Sequence, residues 1–355
     1  MVALLHNGLP YHKKLKSIGT EEQLEQILSE PSAELVDWMT RLEGDIMVIG
    51  AGGKMGPSLT RLALNAISEA KVGKKVFAVS RFTSKDQMAK LSSQGAHVIQ
   101  ADLLDNKELE ALPEASNILY MTGQKFGTVG NEANTWAVNT YLAGKVAEKF
   151  KSSNIVVFSS GNVYPFAKVT EVGATEETSP SPVGEYAQSR LGGERVFEYF
   201  SKEHSTKVTI LRLNYAVELR YGVLVDVARQ VFQGDPVDLR VGYVNVIWQR
   251  DANEVAIRSL ELCSSPPTVL NVTGPETVSV RWLAQQFGKL LGKPPTFADA
   301  EGDKALLSNA AKAFGLFGYP SVTLMQAVRW VADWVKTGGT SFDRPTHFQE
   351  TEGKF

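Results

Sequence analysis

The sequence predicts an α/β protein built on a doubly wound parallel sheet, with a smaller α+β lobe and an N-terminal helical extension. Two observations carry this expectation. From residue 44 onward short apolar runs alternate with amphipathic helical segments, and the runs are too short and apolar to keep a wet face. Such runs mark strands covered on both sides. The first run leads straight into a glycine turn, Gly50-Ala-Gly-Gly-Lys-Met-Gly56, that opens a helix.

Taken in order, residues 20–43 show helical periodicity in two segments, Leu24, Ile27 and Leu28 in one and Leu35, Trp38 and Leu42 in the next. Pro31 separates them, as a proline at a helix start does. Residues 1–43 are therefore read as a helical extension packed on its own domain. Strands are expected over Asp45–Ile49, Lys75–Val79, His97–Gln100, Asn117–Met121, Ile155–Phe158 and Lys207–Leu211, with helices near 56–69, 84–93, 131–151 and 185–203. This makes residues 44–213 one domain on a parallel sheet, which the glycine turn marks for dinucleotide binding. Beyond Leu213 the order is irregular, with helices near 222–233, 251–262, 279–291 and 322–336. Residues 214–340 read as mainly a substrate lobe with some segments returning to the first domain, and 341–355 as an extended tail.

The bulk numbers exclude several classes. Apolar residues make up 43% of the 355, the share of a globular protein. Lys plus Arg is 37 against 39 Asp plus Glu, so no basic excess supports a nucleic-acid or membrane partner. The lone cysteine, Cys263, excludes an internal disulfide, and the five histidines show no metal-ligand spacing. With no apolar run long enough for a secretory signal or a span, a reducing cytoplasm is the expected location.

The glycine turn carries the first chemistry. Gly50, Gly53 and Gly56, with the backbone of Lys54 and Met55, permit a tight strand-to-helix turn and close approach to a diphosphate, which the helix N-terminus then holds. At the end of the second strand an acidic residue would favour NAD. This chain has Ser80 and Arg81 there, and a guanidinium suits a 2′-phosphate, so NADP is favoured over NAD. Lys54 is placed to reach the same phosphate, and Asp102-Leu103, after the third strand, to meet the adenine edge.

The reacting end follows from two further stretches. IVVFSSGNVYPF puts Ser159, Ser160 and Tyr164 at the carboxyl edge of the sheet, and EYAQSRLGGER puts Tyr186 and Arg190 four residues apart, on one helical face. Together with the glycine turn, Asp102, Asn139 in WAVNTYLAGKVAEKF, and LNVTGPETVSVRWLAQQFGKLLGK, these residues resemble the extended short-chain dehydrogenase/reductase family of NAD(P)-dependent sugar epimerases, dehydratases and reductases. The resemblance spans 44 to about 335 in motif order and implies a Rossmann-type domain. It implies Tyr186 as acid/base and Ser160 as the residue that orients the substrate oxygen. The family's lysine four residues after the tyrosine is Arg190 here, which keeps the charge but cannot release its proton.

The resemblance also implies a sugar-like substrate carrying a secondary alcohol or ketone, met by net redox or by epimerisation. The alternative is an NADP-binding protein with little catalysis. Gly161-Asn162 stands where 4,6-dehydratases carry an Asp-Glu pair, which argues against that reaction. Asn162, Asn214, Tyr215, Arg220 and Arg240 fall where relatives face substrate, and Glu176 and Glu177 precede the tyrosine loop. Relatives often pair through the helices near 131–151 and 185–203, so a homodimer is expected.

Overall fold

The computed structural model describes residues 17–355, so the start of the extension, with His6 and His12, lies outside the described residues. Helix α1 (Glu21–Leu28) is capped by the Thr20 hydroxyl, which accepts from Gln23 N, and α2 (Ala33–Arg41) by Ser32, which accepts from Leu35 N. Pro31 sits in the break between them. That break lets the two helices part company. Leu24, Ile27 and Leu28 of α1 join the core of the second lobe, whereas Leu35, Trp38 and Met39 of α2 join the core beneath the sheet. The extension thus bridges two cores instead of packing on one.

Seven parallel strands form the central sheet: β1 (Ile46–Ile49), β2 (Val76–Ser80), β3 (His97–Gln100), β4 (Asn117–Tyr120), β5 (Asn154–Ser160), β6 (Lys207–Leu213) and β7 (Thr268–Val272). Their order is β7-β6-β5-β4-β1-β2-β3. It reverses between β1 and β4, so the crevice at the carboxyl ends of these two strands is the place where such sheets bind ligands. All four side chains of β1 are fully buried. At about 1.5–3 kcal/mol for each such side chain, the strand anchors the position at which the glycine turn emerges.

Helices α3 (Gly56–Ala70), α4 (Lys85–Ser93) and α5 (Asn106–Glu110) connect the first strands. The segment expected as one helix over 131–151 is divided into α6 (Glu132–Trp136), a π-helical turn over Ala137–Tyr141 and α7 (Leu142–Lys149). Next come α8 (Gly184–His204), α9 (Val223–Gln233), α10 (Gln249–Arg258), α11 (Val280–Leu291), α12 (Ala311–Phe317) and α13 (Leu324–Lys336). Residues of α2, α3 and α10 cover one face of the sheet, and residues of α7 and α8 the other. A second core joins α9, α11 and α13 with α1. Among the described residues no helix is long and apolar enough to cross a membrane, and no three His, Cys, Asp or Glu residues are grouped as metal ligands.

Candidate active site

Gly50 follows β1 with φ of +97°, a conformation that suits glycine, and its N–H donates to Val79 O at 2.8 Å. Gly53 N closes the turn on Gly50 O at 2.9 Å. A Cβ on Gly56 would lie 2.5 Å from Ala51 O, so only glycine lets α3 pack this closely. The N-cap of α3, Met55, makes no side-chain cap, which leaves the first N–H groups of the helix for an anion. These features fit the diphosphate of a dinucleotide. A cleft of ≈ 750 Å³ runs past Gly52, Gly53, Ser84, Gln87 and Arg344.

At the ribose end Ser80 is half-buried and Arg81 exposed. Asp102 is exposed and its Oδ1 accepts from Leu104 N at 3.1 Å, a local turn bond, while Leu103 is buried in the core. Lys54 lines the same cleft. Its Nζ donates to Ala216 O at 2.8 Å and lies 4.1 Å from the centre of the Tyr221 ring, where the cleft past Gly52 and Gly53 meets the cavity of Ser160 and Tyr186. Burial pushes its ammonium down to about 8, with Glu218 opposing that shift.

Alternation along β5 separates its two terminal serines. Ser159 Oγ donates to Glu194, which pairs with Arg212 at 2.7 Å, both side chains being almost fully buried. Arg212 in turn donates to the Tyr164 hydroxyl at 3.0 Å, and that hydroxyl donates to Asn271 Oδ1 at 2.8 Å. Ser159 and Tyr164 are therefore consumed by a buried network under the sheet edge. Ser160 is bonded locally instead, donating to Asn162 Oδ1 at 2.9 Å and accepting from Asn162 N at 3.1 Å. With Asn162, Tyr186, Asn214 and Tyr215 it walls one cavity of ≈ 190 Å³.

Asn214 reaches that cavity with its amide already engaged, donating to Asn245 Oδ1 at 2.7 Å and Leu306 O at 3.0 Å. Tyr215 adopts a left-handed φ of +45°, and burial raises its phenol well above the ordinary range. Asn139 holds the helix that carries Tyr186. Its Oδ1 accepts from Gln124 N at 2.8 Å and its Nδ2 donates to Ser189 Oγ at 2.9 Å, while Ser189 Oγ donates to Tyr186 O at 2.8 Å.

Arg190 lies outside the cavity wall. Its guanidinium is buried, and Nη1 donates to Thr122 O at 2.9 Å beneath Gly123, where a Cβ would come within 2.5 Å of that nitrogen. Behind it stands the buried Tyr120 phenol, raised by burial and only partly offset by Arg190. Several other candidates are also engaged elsewhere. Glu176 accepts from Asn271 N at 2.9 Å, Arg220 pairs with Glu218 at 3.2 Å and Glu25 at 2.8 Å, and Arg240 pairs with Asp238 at 2.6 Å. Glu177 is exposed in its loop.

Sequence reasoning missed Lys125, Tyr221 and the tail. Lys125 lines the same cavity as Tyr186 and Ser160, and its Nζ donates to Thr346 O at 3.1 Å. Burial pushes this ammonium down to about 8, against the pull of Asp226. The signal was available: TGQKFGT follows β4, hence it sits at the switch point. The tail lies across the reacting end. Thr346 N and Oγ1 donate to Asp226 Oδ2 at 2.8 and 2.6 Å, and Thr128 N donates to Phe355 O at 3.0 Å. The Phe355 ring meets Tyr186 edge-on at 5.6 Å and lies 4.3 Å from Lys125 Nζ.

Comparison with known proteins bears on the fold. Residues 46–217 match the model of the NAD dependent epimerase/dehydratase family. No curated protein matches the sequence. Among solved structures, UDP-glucose 4-epimerase from Thermotoga maritima, with UDP-glucose, is 18% identical at a TM-score of 0.67, covering 83% of this chain and 99% of that one. UDP-glucuronic acid 4-epimerase from Bacillus cereus, in complex with NAD, is 19% identical at 0.68, covering 82% and 98%. The Thermus thermophilus UDP-glucose 4-epimerase complex with NAD is 18% identical at 0.66, covering 83% and 99%. At these identities the shared property is the fold.

Proposed function

We propose that this chain, whose residues 46–217 match the model of the NAD dependent epimerase/dehydratase family, is a nicotinamide-dependent enzyme acting on a secondary alcohol or ketone of a sugar-like substrate. The observation that carries the reading is the shared cavity: Ser160 and Tyr186 wall one ≈ 190 Å³ space that also touches the glycine turn at Lys54 and Met55. Solved neighbours named as UDP-sugar 4-epimerases support an epimerase; net oxidation or reduction uses the same groups.

The glycine turn and the uncapped start of α3 would hold the dinucleotide diphosphate, and a bound nicotinamide would supply hydride transfer. Tyr186 takes the proton from the reacting hydroxyl as the carbon loses hydride, and returns it in the reverse step. Ser160 donates a hydrogen bond to the same oxygen. Arg190 is a positioning residue in this scheme, because its guanidinium holds the Thr122 carbonyl at the end of β4. NADP is the preferred cofactor: β2 ends at Ser80 and Arg81 follows it, with no carboxylate at either position to accept from a ribose 2′-hydroxyl. In this the chain departs from the neighbours solved with NAD.

One observation favours the second reading, an NADP-binding protein with little catalysis: the buried Arg190 leaves Tyr186 without the family's adjacent lysine. Turnover on a panel of UDP-linked and free sugars decides between them. Tyr186→Phe is expected to lower kcat at least about 100-fold while NADPH is still bound; NADPH binding with no Tyr186-dependent turnover establishes the second reading. Fluorescence titration tests the cofactor, with Arg81→Ala expected to erase the preference for NADPH over NADH. Equal affinities in the unaltered protein would refute that assignment.

A further inference from the structure

The two lysines of the reacting cavity have more donors than partners. Lys54 Nζ and Lys125 Nζ each carry three N–H donors. Among the described residues each makes one hydrogen bond, to the carbonyls of Ala216 and Thr346, and neither forms a salt bridge. Nearby carboxylates are already engaged. Glu218 is held by Arg220 at 3.2 Å, and Asp226 Oδ2 accepts from Thr346 N and Oγ1. The lysines arise from different elements, the glycine turn and the segment after β4, yet both line the cavity of Ser160 and Tyr186.

We propose that Lys54 and Lys125 form a subsite for a negatively charged substituent, a carboxylate or phosphate, carried by the substrate close to its reacting carbon. This rests on reading the cavity as the reacting end and specifies the substrate class: an acidic or phosphorylated sugar over a neutral one. Ammonium-to-oxyanion hydrogen bonds are about twice as strong as neutral ones, and a partly dry cavity weakens them less than water does. Burial pushes both ammonium groups down to about 8, so an anion entering between them holds both in the charged form. The charges facing Lys54 are Glu218, Arg220 and Asp226, and that facing Lys125 is Asp226, which itself feels His347 and Arg229. The rival source of the anion is the cofactor diphosphate, since Lys54 belongs to the glycine turn.

Calorimetric titration of NADP-loaded protein with UDP-glucuronate against UDP-glucose, and with glucose 6-phosphate against glucose, tests the subsite without relying on turnover. At pH 7 the acidic member of at least one pair is expected to bind about tenfold tighter or better. The ratio should fall as the pH rises past about 8 and the lysines lose their charge. Lys125→Met should abolish the ratio and Lys125→Arg should retain most of it, which separates charge from folding. Equal affinity within both pairs, absence of binding included, overturns the proposal, as does a preference that survives Lys125→Met. A Lys54→Met variant that weakens NADPH binding but keeps the acid preference overturns the paired subsite, assigning Lys54 to the cofactor diphosphate. Failure of the Tyr186→Phe test bears on the reaction alone and leaves this binding result to stand by itself.

Discussion

Tyr186 and Arg190 lie one turn apart on α8, but their side chains serve different neighbours. Arg190 passes under Gly123 to the Thr122 carbonyl, and its Nε has no partner among the described residues. Removing the guanidinium leaves the Thr122 carbonyl without this donor, at a cost of about 1–3 kcal/mol. Arg190→Met is therefore expected to lower Tm by several degrees, a change Tyr186→Phe should not share; thermal unfolding of both variants checks this. Gly123→Ala should disturb the same hydrogen bond, since its methyl group would lie 2.5 Å from Arg190 Nη1 and the guanidinium would have to shift. The four-residue spacing was legible in the sequence. The direction of the guanidinium was not, because a glycine far upstream opens the space it fills. Ser159 and Tyr164 teach the same lesson. Their place at the strand end was readable, but the Glu194–Arg212 pair that consumes them comes from α8 and β6.

Among the elements, α3 is the clearest case of sequence dictating structure. Three glycines, an apolar strand before them and a proline at the start of the helix specify the turn, and Gly56 must lack a side chain because the Ala51 backbone occupies that space. Gly56→Ala is expected to cost about 1–3 kcal/mol through overpacking and to weaken NADPH binding by displacing the helix start. Denaturant unfolding and NADPH titration measure the two effects separately. The π turn over Ala137–Tyr141 was illegible by contrast. AVNTY carries no glycine or proline, and periodicity predicts an unbroken helix there. This wider turn within a continuous helix accompanies the three hydrogen bonds that Asn139 makes to Gln124 and Ser189, all long-range in sequence.

At the scale of the whole molecule, the cavity lysines couple stability to pH. Their folded values of about 8 lie below the ordinary 10.5, so between these limits the unfolded chain binds more protons and stability rises with pH. Cys263, raised from 9.0 to about 11, acts in the opposite sense above about pH 9. Tm is expected to climb between about pH 8 and 9 in the ligand-free protein and to climb less in Lys54→Met and Lys125→Met; a calorimetric pH series reads both. A flat profile in the unaltered protein would contradict the burial of these groups. The alternation of strand and helix made the sheet legible, whereas the bridging extension depends on tertiary partners that no local pattern encodes. Glu25 of α1 meeting Arg220, 195 residues away, is one such pairing.

Thr346 joins these scales. Its amide and hydroxyl hold Asp226, and its carbonyl holds Lys125, so the tail is pinned to both sides of the reacting end by one residue. A change at Thr346 is therefore felt at Lys125 and at Asp226 together, although the lysine and the carboxylate come from separate elements.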